Sequence, residues 1–137
     1  MRIAVIADIH HGSPSLTKRG DTALDLLDQF AAFVAAEKPD LVLELGDRIS
    51  DVDRETDLRL QREVADALSV IGPPIFHICG NHDRDHLSVA ENAEVLGQDL
   101  QNEVIDLGPW SLALWRADAE IHREPSTGFF LPERDRV

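Results

Sequence analysis

One pattern recurs three times along the chain: a short apolar run that breaks directly into residues able to bind a cation. Residues 3–7 (IAVIA) run into Asp8-Ile9-His10-His11, residues 41–45 (LVLEL) into Gly46-Asp47-Arg48, and residues 75–79 (IFHIC) into Gly80-Asn81-His82-Asp83. The runs are rich in Ile, Val and Leu and lack strict alternation. Such runs predict strands covered on both faces, as in a parallel sheet.

The stretches between the runs read as helices. In residues 21–40, Leu24, Leu27, Ala31 and Val34 follow helical spacing, Asp21 is placed to cap the start, and Pro39 lies just past the end. In the second stretch Leu60, Val64, Ala67 and Ile71 line one face, and Gly72-Pro73-Pro74 stops the helix. Strand, helix, strand, helix, strand implies right-handed crossovers and parallel neighbours. A short helix is expected within residues 86–97, and residues 103–115 read as two strands joined at Gly108-Pro109. Beyond residue 116 no periodicity stands out, although Phe129, Phe130 and Leu131 form an apolar cluster with a charged run behind it.

A length of 137 residues fits one domain. The formal net charge of −13, from 26 acidic against 13 basic residues, repels phosphate backbones and anionic lipids. Non-specific nucleic-acid binding and membrane binding are therefore not expected. The same charge suits a chain that collects divalent cations, and it also keeps a protein soluble. Cys79 is the only cysteine, so no intramolecular disulfide can form, and a small buried position is expected for it. The N-terminal apolar run reaches Asp8 too soon for a signal sequence or a bilayer span, and a cytoplasmic location is the expectation.

In an open parallel sheet the carboxyl ends of the strands share one edge, where ligands bind. Neighbouring strands lie about 4.8 Å apart, so the polar residues after the three runs can converge. Carboxylates and imidazoles together suit Mn, Fe, Zn or Ni, and the absence of clustered thiolates argues against a sulfur site. In Asp8-x-His10 an extended backbone would point both side chains the same way. Asp47 has two oxygens with which to bridge two cations. Each residue alone has an ordinary explanation as a cap, turn or loop residue; the ordered coincidence of all three motifs does not.

Those blocks resemble the calcineurin-like metallophosphoesterase superfamily: Asp8-Ile9-His10, Gly46-Asp47-Arg48-Ile49 and Gly80-Asn81-His82-Asp83. Within it they are similar to the bacterial cyclic-nucleotide-phosphodiesterase-like branch. The resemblance implies an α/β fold, the N-terminal part of a β-sandwich flanked by helices, with a hairpin after the parallel strands. It implies two divalent metal ions, with Asp8 and His10 on one, Asp47 bridging and Asn81 on the other. It also implies hydrolysis of a phosphate mono- or diester, or of a nucleotide, by a hydroxide made at the metals. His82 would assist the leaving group, oriented by Asp83 or by Asp51. Arg48, Arg84 and His11 are candidates to hold the substrate. His77 reads as a core residue, His86 as helix surface and His122 as solvent-exposed.

The chain departs from the family in lacking a Gly-His-x-His block, whose histidines complete both metal sites. The domain is therefore expected to be incomplete at its C-terminus, with self-association through an uncovered sheet edge. The alternative function is a metal-binding scaffold, truncated or vestigial, without catalysis.

Overall fold

The computed structural model describes residues 1–15 and 18–116. The expectations for His122 and for the Phe129, Phe130, Leu131 cluster lie outside the described residues. Strand β1 (Ile3–Ile6) leads through a short 3-10 turn (Gly20–Thr22) into helix α1 (Ala23–Glu37), then β2 (Leu41–Glu44). Helix α2 (Arg54–Leu68), β3 (Ile75–His77) and α3 (Val89–Leu96) follow, and β4 (Glu103–Asp106) and β5 (Ser111–Leu114) close the order.

β1, β2 and β3 form a parallel sheet in that spatial order, with Ile3 opposite Leu41 and Val42 opposite Ile75. β4 and β5 pair antiparallel across Gly108, whose φ of 79° makes the turn that the Gly-Pro pair signalled. The chain is thus mixed α/β with a separate hairpin, as the sequence pattern implied.

Right-handed crossovers between strands in the order β1-β2-β3 place both helices on one face. Ala4 and Val42 of the sheet, Leu27 and Val34 of α1, and Val64 and Leu68 of α2 make one buried cluster there. Burial of each larger aliphatic chain contributes about 1.5–3 kcal/mol. The opposite face is barer than the unalternating strands suggested: Ile3 is 38% exposed and Val5 52%. Two further expectations shift. Asp21 does not cap α1; it sits in the 3-10 turn and accepts from Arg19 at 3.2 Å. α2 ends at Leu68, before the Gly-Pro-Pro stop, so Ile71 reaches the core from the connecting segment.

The two outer edges of the sheet differ. Gln98 treats β3 as a neighbouring strand would: its Oε1 accepts from His77 N at 2.9 Å and its Nε2 donates to Ile75 O at 3.0 Å. Arg116 Nε adds a bond to His77 O at 2.9 Å. β1 has no ladder partner on its outer side among the described residues.

α3 begins with a reciprocal cap, in which Ser88 accepts from Glu91 N and the Glu91 carboxylate accepts from Ser88 N at 2.8 Å. The Ser88 backbone N–H, then its hydroxyl and Arg54, pull the Glu91 carboxyl down to about 2 from an ordinary 4.5. A lowered carboxyl pKa stabilises the fold fully above the unfolded value and loses that contribution as pH falls through the folded one. Glu91→Gln should therefore melt below the parent at neutral pH, with the gap closing as pH drops from 4.5 toward about 2. Thermal melts across that window check it, and a gap unchanged at the acid end would refute the ionised cap.

Candidate active site

The three polar loops meet at the carboxyl edge of the sheet and are sewn together by their backbones. Asp8 N donates to Gly46 O, His10 N to Asp47 O and His11 N to Arg48 O, at 3.1, 2.9 and 2.8 Å. The loop after β1 therefore runs alongside the loop after β2. Its backbone is not extended there, contrary to the expectation for Asp8-x-His10. Asp8, His10 and Asp47 all have left-handed φ values, 55°, 48° and 55°. Lys38, at the end of α1, is the other non-glycine among the described residues with positive φ. Such conformations cost of order 1–3 kcal/mol each and persist only where surroundings over-determine them.

Two glycines let the second and third loops touch. A Cβ on Gly46, which has a φ of 87°, would lie 2.1 Å from Gly80 N. A Cβ on Gly80 would lie 2.1 Å from Asp47 Oδ1. Gly80 does not have a left-handed φ, so close approach to Asp47, rather than a sharp turn off the strand, is what requires it.

Ligand atoms of His10, Asp47 and His82 all fall within 4.8 Å of one another. His10 Nδ1 faces Ile49 O at 3.4 Å, which directs Nε2 toward the Asp8 carboxylate, 3.7 Å away. Asp47 Oδ1 accepts from His82 N at 3.0 Å. The two imidazoles meet edge to face with centroids 4.7 Å apart. Asp8 stands at the exposed rim, and Asn81 is exposed, with no side-chain bond among the described residues.

His82 is oriented by Asp51, which accepts from Nδ1. Burial opposes ionisation of Asp51, but the hydrogen bond from His82 prevails and its pKa falls below the usual value. On the other ring nitrogen, Lys18 Nζ lies 2.9 Å from Nε2. An ammonium can only donate, so Nε2 accepts and Nδ1 carries the proton given to Asp51. With both nitrogens engaged, His82 fits a substrate-facing role better than that of a cation ligand.

The other sequence candidates have different duties. Asp83 is fully buried and turned away from the imidazole. Its oxygens accept from the backbone N–H groups of Asp47, Arg48 and Gly80 at 2.8, 2.9 and 2.9 Å, and from Gln61 Nε2 at 2.9 Å. Arg48 is equally buried and does not face substrate. It donates to Glu44 at 2.5 Å, Gln61 at 2.9 Å, Ile78 O at 2.8 Å and Asn92 at 3.2 Å, and pairs with Asp83 at 3.2 Å. Burial pushes the Asp83 carboxyl up and the Arg48 charge opposes it; because every partner is a donor, the carboxylate is the form these bonds fit. His11 is buried between Glu63, 2.6 Å from Nε2, and Gly20 O, so it braces the loop instead of meeting substrate. Arg84 is 9% exposed and donates to Leu87 O. His77 is buried as expected, against Glu44 at 3.0 Å. His86 lies before α3 rather than on it and bonds Asp57 at 2.9 Å.

A family model described as calcineurin-like phosphoesterase matches residues 1–129. The chain belongs to that family. No curated protein matches it. Calcineurin-like phosphoesterases bind divalent metals, and the donor set here fits one: a left-handed Asp-x-His pair, a carboxylate tied at one oxygen and a precisely braced loop around them. The family blocks also explain which residues the sequence could not supply. Lys18 lies in a polar loop with no spacing that relates it to Asp8 or His82, so nothing in the sequence marked it. Glu63 is one more acidic residue on a charged helix until His11 is seen against it.

Replacing Asp83 by Asn would turn donors toward donors and leave Arg48 short of a buried anion. Asp83→Asn should lose about 3–5 kcal/mol of unfolding free energy, whereas Asp51→Asn should stay within about 1 kcal/mol of the parent. Urea unfolding measures both, and an Asp83→Asn midpoint equal to the parent's would sink the structural role.

Proposed function

We propose that this chain carries a phosphoesterase site in which Asp8, His10, Asp47 and Asn81 hold two divalent cations and His82 serves the leaving group. The observation that carries this reading is the Asp51–His82 pair beside Asp47. Asp51 accepts from Nδ1, so Nε2, which Lys18 meets at 2.9 Å, is the nitrogen left to accept or carry a proton, and a ring nitrogen of His82 lies within 4.8 Å of ligand atoms of His10 and Asp47. Cations bound there supply Lewis-acid polarisation of the phosphoryl group and activation of water at neutral pH.

The residues of the chain do the rest. Asp47, clamped at Oδ1 by the His82 amide, links the cation cluster to the loop that holds the imidazole. Once protonated on Nε2, His82 gives that proton to the leaving oxygen as its bond to phosphorus breaks, while water adds on the opposite side. Asp51 stabilises the imidazolium that this requires. Substrates in view are phosphate mono- or diesters and nucleotides.

A second reading, a metal-binding scaffold without turnover, is favoured by the ligand count. The sequence candidates give three protein ligands to one cation and two to the other, and two hold a metal weakly.

Manganese titration together with hydrolysis of aryl phosphates separates the two. Asp47→Asn should lose most Mn²⁺ affinity, while His82→Asn should keep it and lose about 10²–10⁴-fold in kcat. Unchanged Mn²⁺ binding in Asp47→Asn would remove the bridging role. Metal binding by the parent with no turnover of any ester would favour the scaffold.

A further inference from the structure

Lys18 belongs to none of the family blocks, yet its ammonium makes a side-chain contact inside the site. Its backbone is fixed by a reciprocal pair of bonds with Ser15: Ser15 N donates to Lys18 O at 3.0 Å and Lys18 N to Ser15 O at 2.6 Å. The side chain is partly buried, and Nζ lies 2.9 Å from His82 Nε2. No other lysine or arginine among the described residues hydrogen-bonds His10, Asp47 or His82. Arg48, the nearest alternative in sequence to Asp47, is wholly buried among Glu44, Gln61 and Asp83.

A neutral imidazole is a modest acceptor for a lysine. The Nζ has three N–H groups and gives one of them to His82, its side-chain partner among the described residues. The other two remain for an oxyanion. Phosphoryl oxygens are stronger acceptors for an ammonium, because both partners then carry charge and Coulomb attraction adds to the hydrogen bond. The surroundings sharpen the point: the chain carries a net charge of −13, and Asp8, Asp47 and Asp51 stand at the site itself. Divalent cations held by those carboxylates would offset them, and beside them a doubly charged phosphate gains more from a fixed ammonium than a singly charged one does, since Coulomb attraction scales with the charge of the anion.

Building on the phosphoesterase reading, we propose that Lys18 anchors the phosphate and selects substrates that present a terminal phosphate dianion, monoesters ahead of diesters. In this structure the ammonium rests on His82 Nε2. With substrate present it moves to a non-bridging phosphoryl oxygen, and Nε2 is left facing the leaving oxygen. Lys18 forms no covalent bond and transfers no proton in this scheme; it touches the substrate and fixes its orientation relative to His82.

The test uses the full chain, with Lys18→Met and Lys18→Arg. Calorimetric titration with inorganic phosphate reads the anchor directly, without turnover. Lys18→Met should bind phosphate about 10–100-fold more weakly than the parent, as expected for loss of a charge-assisted bond, and Lys18→Arg should recover most of the affinity. With Mn²⁺ present, kcat/KM for p-nitrophenyl phosphate should fall by a similar factor in Lys18→Met, with a clearly smaller fall for bis(p-nitrophenyl) phosphate. Equal phosphate affinity in parent and Lys18→Met would overturn the anchor, as would a parent that binds no phosphate. Equal losses on the two esters would overturn the selectivity. A parent that binds phosphate through Lys18 but hydrolyses neither ester would uphold the anchor and refute the phosphoesterase reading, so the two failures are distinct.

Discussion

Everything at the carboxyl edge of this sheet hangs on the buried pairing of Arg48 with Asp83 and Glu44. Isolated charges at zero exposure would be ruinous, and even a matched pair gains little over apolar packing. What the network supplies is position. Asp83 accepts the backbone N–H groups of Asp47, Arg48 and Gly80 at once, which fixes the second and third loops to one another. Arg48 then reaches back to Glu44 of β2 and to the carbonyl of Ile78, tying those loops to the strands that deliver them. Asn92 of α3 joins through Arg48 and through its own bond to Asp83 O at 2.8 Å, so the helix behind the site is held by the same centre.

From that centre the geometry follows outward. With the two loops locked, Gly46 and Gly80 can sit in contact and Asp47 is pressed against the His82 amide. The loop after β1 then lies along the second loop through its own backbone bonds, and His11 braces it against Glu63 of α2. Asp8, His10 and Asp47 are left in left-handed conformations where the first two loops meet. The strain is local, and the bonds around it are numerous enough to hold it.

Much of this was legible in the sequence, for identifiable reasons. The strands and helices show because apolar spacing reports burial, and the motif residues because Asp, His and Asn follow apolar runs in a set order. The hairpin turn at Gly108-Pro109 shows because few residues tolerate that conformation. The duties of Asp83, Arg48 and His11 did not show. A carboxylate beside a histidine in sequence looks like its partner, yet successive residues on a tight turn point in different directions, and Asp51, far off in the chain, is the one that arrives. Lys18 and Glu63 were invisible for a related reason, since their partners are 64 and 52 residues away and no local pattern encodes the meeting.

Gln98 has a consequence for how this sheet can grow. By offering a side-chain amide in place of a strand, it uses up the outward N–H of His77 and C=O of Ile75, and Arg116 takes the carbonyl of His77. β3 is thereby terminated chemically, although no strand lies beside it among the described residues. Among the described residues β1 is therefore the edge of the sheet that keeps its outward backbone groups open to another strand. A strand added along β1 would run toward the loop that carries Asp8 and His10, so the open edge and the polar loops share one end of the sheet.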